Sequence, residues 1–505
     1  MRSPLRERLR WRAKRYQPQP TPWVQIDRPG DWKYDRAIPA EIDPMIRQAV
    51  LRGQPPRDPT FKGYTKSTVA NAIRPNVNRT VVPGPSVSWV RPMRTAEANV
   101  DVALLVCALF LQRFSLAFRG TVLSLDFVPV VLILVYQFVS GRLLINYDRL
   151  LWFIVVALAV TGSLLMNFKS TMLTSYFLFI VVYSLFLLVR PSTAEQYKNT
   201  LQWFQLLVAL LAFLGIAQFA AQLVVDGREI IRFFGIFPEY LFASYNMRGV
   251  NTIIPITQGA SLIKSNGIFL TEPSTLSQIT ALGILIEVLE FRRAGYLLVL
   301  TLGFLVSYSG TGLMTLLLFL PLAGLVHGRA GLPALVVIIF ALGLFVTGII
   351  DLSIFFSRVG EFEDTRASGF QRFIAPFWMA AENLDTASLP ALLLGSGPGT
   401  VKDFASHLRY GGAAGTWIKL FYEYGLIGSF VFVCFFASCF RRSRCPGLVL
   451  AAILFSYVFL GGQLLGTPFL IMVMALCTLS GPGPRRNRTG SRRYRPSLVV
   501  GSSAG

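Results

Sequence analysis

Glu272 stands at the mouth of an apolar run. The stretch 266–278 reads NGIFLTEPSTLSQ, and it places that carboxylate among several hydroxyls where a hydrophobic segment begins. An isolated carboxylate at membrane depth is costly, so it should be paired or used. A plainer reading stays open beside it. Pro273 suits the first turn of a helix, and an acid just before it complements the helix dipole. Cations gather on two polar segments. Residues 226–272 hold Arg228, Arg232, Arg248 and Lys264 with Asp226, Glu229, Glu239 and Glu272. Residues 356–415 hold Arg358, Arg366, Arg372, Lys402, Arg409 and His407 with six acids. Such a set suits an anionic substrate. Arginine fits diphosphate well, because its planar fork donates two parallel hydrogen bonds to phosphate oxygens. Glu423, inside a later apolar run, is a further carboxylate that could line a cavity.

Other chemistries find little support. There is no HExxH, no clustered Cys/His and no DxD, so no metal site and no cofactor is called for. Glu363-Asp364 are adjacent loop acids of the kind that are usually solvated. GSGPGT (395–400) lacks the Lys and the strand–helix setting of a nucleotide loop and reads as a tight turn. SYSGTG (307–312) should break or kink a pair of short spans; its hydroxyls could meet a ligand or serve the turn. Four of the five cysteines lie in or near apolar runs, and no disulfide framework is suggested.

The elements that must position these groups are membrane helices. Of 505 residues, 53% are hydrophobic and only 15% charged, well below the quarter or so typical of soluble domains. Apolar runs fall at about 100–117, 121–140, 149–167, 171–189, 201–225, 273–291, 295–309, 312–327, 332–355, 416–440, 447–463 and 465–480. The expectation is an all-α polytopic membrane protein of about twelve spans. Gly461, Gly462, Gly466 and Pro468 leave the 447–480 run as either two short helices or one broken one.

Charge sets the expected orientation. Residues 1–99 carry 19 Lys/Arg against 8 Asp/Glu, and residues 441–505 carry nine Arg and no acid, which is most of the net +22. Arg142, Arg149, Arg190, Lys198, Arg292, Arg293, Arg329, Arg441, Arg442 and Arg444 all fall on the side of the two termini, as the positive-inside rule asks. Both termini are therefore expected in the cytoplasm, as basic and largely disordered tails (1–99 and 481–505), with no cleavable signal peptide. The two long loops, 226–272 and 356–415, are expected outside. No nucleic-acid-binding motif is found.

Four stretches, in order, carry a resemblance: QRFSLAFRG (112–120), KSNGIFLTEPSTLSQ (264–278), ASGFQRFIAPFWMA with LLLGSGPG (367–380, 392–399) and TWIKLFYEYGLIG (416–428). Over residues 100–480 the chain resembles the O-antigen polymerase/ligase superfamily, its exopolysaccharide and O-antigen polymerase branch most of all. The resemblance implies a GT-C-like helical enzyme of the bacterial inner membrane, with its long loops in the periplasm. Its substrate would be a polyprenyl-diphosphate-linked oligosaccharide, and a chain-length-regulating co-polymerase is a candidate partner beside membrane lipids. Catalytic roles would fall to Glu272, Arg372, Arg366 and His407. Substrate contacts would fall to Arg248, Lys264, Arg358, Arg113, Arg409 and Glu423. A guanidinium would balance the charge growing on the diphosphate, and a carboxylate would take the acceptor's proton, with no metal. Lys264 stands where the family more often has Arg, and so lacks the bidentate fork.

The ligases of this superfamily carry a His just before the closing helix. That position falls near Ala414 here, and His407 lies about seven residues too early, which favours polymerase over ligase. A transporter or flippase of lipid-linked glycan is the alternative from another class. Such proteins tend to show inverted repeats, and none is found.

Overall fold

Long runs of Leu, Val, Ile and Phe fold as helices here because backbone in hydrocarbon must satisfy its own N–H and C=O groups. The computed structural model describes residues 98–118, 121–169, 172–227, 230, 253–256, 261–327, 365, 368–408, 414–461 and 463–481. All but residues 98–99 and 481 of the two expected tails, the expected span 332–355, and Arg248, Arg358, Arg366 and Arg409 lie outside the described residues. In chain order, α1 is Ala98–Phe110, α2 Phe127–Val139, α3 Tyr147–Met166, α4 Met172–Ser184, α5 Ala194–Ala221, α6 Pro273–Ile286, α7 Ala294–Val306 and α8 Gly310–His327. Four shorter helices follow: α9 Ser368–Phe373, α10 Ala375–Thr386, α11 Leu389–Leu394 and α12 Val401–His407. Last come α13 Thr416–Phe440, α14 Gly447–Phe459 and α15 Thr467–Val473.

Among the described residues, four helices are long and apolar enough to cross a membrane: Tyr147–Met166, Ala194–Ala221, Pro273–Phe291 and Thr416–Phe440, the third including the π turn that continues α6. Seven shorter apolar helices accompany them. The protein is a mostly helical membrane protein. The eleven expected runs that fall among the described residues all carry helix, but in seven of them it is shorter than the roughly twenty residues a straight span needs. The 447–480 run resolves into two helices, α14 and α15, joined by a 3₁₀ turn at Gln463–Leu465.

The expectation of helix throughout needs two corrections. The first expected span stops at Phe110, short of residue 117. Its last turn ends where the Gln112 side chain donates to the carbonyls of Ala108 and Leu109, at 3.3 and 3.4 Å. The chain then forms an antiparallel hairpin of β1 (Ser115–Phe118) and β2 (Thr121–Ser124) before α2 begins. The second departure is a three-stranded patch. β3 (Leu144–Ile145) pairs antiparallel with β4 (Leu188–Pro191), which pairs in parallel with β5 (Ser480–Gly481). It ties two connections between helices to the segment that follows the last described helix.

Arg149 locks the same end. Its buried guanidinium donates to the carbonyls of Phe186, Cys439 and Thr478 at 2.8, 2.9 and 3.0 Å, and to that of Leu188 at 3.4 Å. One side chain thus satisfies backbone from three separate stretches, where unpaired carbonyls would be costly. Replacing Arg149 by Leu is expected to destabilise the protein by roughly 3 kcal/mol or more. Thermal unfolding of the detergent-solubilised protein checks this, and an unchanged midpoint would contradict it.

At the centre lies α6. Every residue from Leu276 to Ile286 on it is buried, and α5, α7 and α8 pack around it. Polar side chains fix these contacts. Gln205 on α5 donates to the Gly283 carbonyl at 2.8 Å, and Ser277 Oγ on α6 accepts from Gly312 N–H on α8 at 3.0 Å. Between α3, α4 and α13 the packing is aromatic, with Tyr183 edge-on to Phe432 at 5.1 Å and its hydroxyl 2.7 Å from that of Tyr457.

Candidate functional site

Glu272 occupies the N-cap position of α6, with Pro273 in the first helical turn. Caps are normally Ser, Thr, Asp or Asn, whose short side chains accept from the next turn. The Glu272 side chain makes no capping bond. Its backbone carbonyl alone takes the Thr275 N–H at 3.1 Å. So TEPS is a helix start, and the carboxylate is left over for something else.

That something is Arg372, on α9. Its Nη2 lies 3.3 Å from Glu272 Oε2, and Ser274 Oγ donates to the same oxygen at 2.7 Å. Both side chains of the ion pair are about 25% exposed. Among the described residues no hydrogen bond engages Glu272 Oε1, or Nε and Nη1 of Arg372. The two best candidates from the sequence, one hundred residues apart, therefore meet with donor and acceptor capacity still open.

The segment leading to Glu272 is held from three sides. It enters between α5 and α7 as irregular backbone, which a membrane protein tolerates only where protein or a cavity surrounds it. Ser265 N–H donates to the Val306 carbonyl at 3.1 Å. Gln218 on α5 presents Oε1 to Ser265 Oγ and to the N–H groups of Asn266 and Ile268, at 2.9, 3.2 and 3.3 Å. This clamp keeps Ile268 at φ +67°, a conformation strained for a β-branched residue. Further along, Arg113 Nε donates to the Leu270 carbonyl at 2.8 Å, and Thr271 Oγ1 lies 3.4 Å from Gln112 Oε1. The SYSGTG turn closes the other flank. Ser277 Oγ donates to the Ser309 carbonyl, and Thr311 Oγ1 to that of Ser274. Those hydroxyls serve the turn and its helix contact.

The remaining candidates lie as follows. Arg113 is 3% exposed, and its Nε faces protein backbone two residues before Glu272. Lys264 is buried beside the bridge between Pro255 and Ile263. His407 is exposed at the end of α12, with no ion pair to Glu272 or Arg372 among the described residues. Glu423 sits 2% exposed within α13, where its Oε1 lies 3.4 Å from the Val401 N–H. Just beyond it α13 breaks, at Gly425, with φ +65° and ψ −170°. The break frees the carbonyls of Tyr422 and Glu423. Ser396 N–H and Gly397 N–H donate to them at 2.9 and 3.0 Å, and Ser163 Oγ also donates to Glu423. The expected tight turn at 395–400 is a turn that patches a broken helix, and Glu423 lies beneath it.

Sequence reasoning passed over Gln218 and read Arg149 only as an orienting charge. Both left a signal. Gln218 is an amide in an otherwise apolar stretch of α5, and Arg149 is a guanidinium in the first turn of α3 that the structure buries. Polar side chains in such places are costly unless they have a partner.

A bundle of apolar helices whose central helix begins at a partly exposed carboxylate–guanidinium pair defines a mostly helical membrane protein. The chain belongs to the WcaD colanic acid polymerase family, whose model matches residues 100–479. No curated protein and no solved structure matches it.

Proposed function

We propose that the protein joins polyprenyl-diphosphate-linked oligosaccharide repeat units into a surface or exopolysaccharide at the outer face of the bacterial inner membrane. Family membership supports polymerisation of repeat units into exopolysaccharide. The observation that carries the site is the Glu272–Arg372 pair at the mouth of α6. With the arginine-rich helix ends inside, that mouth faces out, and a carrier's prenyl tail would lie in the bilayer beside it.

The reaction asks for two things. The acceptor hydroxyl oxygen bonds to the donor's anomeric carbon while the bond from that carbon to the diphosphate breaks, and polyprenyl diphosphate leaves with the electron pair. Arg372 offers Nε and Nη1 to the charge that grows on the diphosphate, a preorganised donor of the kind that lowers such barriers. Glu272 offers Oε1 to the acceptor hydroxyl and takes its proton, which water then removes. Ser274 and Arg372 hold the carboxylate in place through Oε2. Arg366 remains a proposed catalytic cation, Arg248, Lys264, Arg358, Arg113, Arg409 and Glu423 remain proposed substrate contacts, and His407 is the residue that a ligase reaction would use. A chain-length-regulating co-polymerase is the proposed protein partner.

Deleting the gene and weighing the extracted lipid-linked glycans tests this. Single repeat units accumulating on the carrier, with long polymer lost, are the expected result. Long polymer stranded on the carrier would mean transfer to an acceptor instead. No change in either pool would overturn the enzymatic reading in favour of transport.

A further inference from the structure

A groove opens between the start of α3 and the end of α13, at the opposite end of the bundle from Glu272. Asn146, Asp148, Leu151, Trp152, Arg441 and Arg442 line it, together with the buried Arg149 and the partly buried Ser438. Its charges come from two elements. Arg441 and Arg442 close α13, and Asp148 lies in the first turn of α3. Arg149 is already committed to four carbonyls, among them that of Cys439, which covers part of the negative end of α13. Arg442 reaches Asp148 at 3.9 Å, with both side chains more than 60% exposed. Among the described residues no ion pair or hydrogen bond engages the exposed Arg441 guanidinium. The groove therefore offers at least one unpaired guanidinium and one loosely paired one, against a single carboxylate.

What lies next to the groove identifies its occupant. Along α3 the residues Leu151, Ile154, Val155 and Leu158 are exposed, and along α13 Phe430 and Val433 are exposed. Large apolar side chains leading away from a cationic groove match a molecule with a charged head and hydrocarbon tails. Trp152, partly exposed at the boundary between the two, is the residue type that settles at headgroup depth. We propose that this groove binds the headgroup of an anionic phospholipid from the leaflet at the arginine-rich end, its acyl chains lying along α3 and α13. The phosphate meets Arg441 and Arg442, with the Asp148 carboxylate as the one opposing charge in the groove. The site would anchor α13 at the end remote from the pair. It holds whether or not the polymerase reading does.

The test is to delipidate the purified full-length protein and count bound lipids by native mass spectrometry. Phosphatidylglycerol and phosphatidylcholine of one chain length are added back in equal amounts. The wild type should retain phosphatidylglycerol in preference to phosphatidylcholine. The R441Q/R442Q variant should lose that preference, with roughly tenfold weaker retention of the anionic lipid. D148N should strengthen retention, because it frees Arg442 and removes the opposing charge, a gain that a misfolded variant would not show. Equal retention of the two lipids by the wild type overturns the proposal, as does D148N or R441Q/R442Q behaving like the wild type.

Discussion

Arg372→Ala is expected to abolish long polymer in cells that still hold the protein in their membranes. Removing one preorganised donor from a site of developing charge typically costs about a hundredfold to a thousandfold in rate. In a polymerase that loss compounds over every added unit. Arg372 is well suited to show it cleanly, because its ion pair with Glu272 is partly exposed and long, at 3.3 Å. Such a pair adds little to stability, so the variant should fold. Arg372→Lys keeps the charge and loses the fork, and should recover only part of the activity. Glu272→Gln removes the proposed base while keeping its shape and its bond from Ser274, and should match Arg372→Ala. The check is polymer length on gels beside membrane immunoblots of each variant. Normal polymer with either substitution would separate the ion pair from the reaction.

The second large effect is on the fold. Gly425→Ala should strongly destabilise the protein. Its φ of +65° with ψ of −170° is a conformation that side chains rarely adopt, worth about 1–3 kcal/mol of strain. An added methyl would also lie 2.5 Å from the Leu393 carbonyl carbon and 2.6 Å from the Gly395 nitrogen. Neither is the end of a flexible side chain, so the backbone itself must shift. Gly395, at φ +85°, meets α13 backbone in the same way from the other side. Gly295 on α7 provides the control, since nothing lies within 4 Å of its added methyl. Thermal unfolding should show a large loss for Gly425→Ala and little change for Gly295→Ala. Equal behaviour would mean that the turn is not locked into the helix break.

Much of this was legible in the residues. Long apolar runs gave the helices, since hydrocarbon permits little else. Glu272 drew notice because a carboxylate at that depth needs a reason, and Arg372 through resemblance and its place in the second loop. That the two touch could not be read. The contact joins residues one hundred apart, and its geometry depends on how α9 lies against the mouth of α6. The hairpin at 115–124 was missed because its apolar strands look like the continuation of a span. Only the Gln112 side chain, turning back on its own helix, marks the stop. Glu423 was visible as a charge in an apolar run, but its position beneath the 395–400 turn follows from the break at Gly425, which sequence periodicity does not record. Gln218 escaped for a related reason. One amide in a long apolar helix says that a partner exists without saying which backbone it holds.

Reconstitution tests the central claim most directly. The purified protein is placed in phospholipid vesicles with a polyprenyl-diphosphate-linked repeat unit, and the products are separated by size. The expected result is a ladder spaced by one repeat unit, with polyprenyl diphosphate released in step and no ladder from Arg372→Ala. Repeat units that stay single with folded wild-type protein and intact carrier, or an equal ladder from Arg372→Ala, would contradict it.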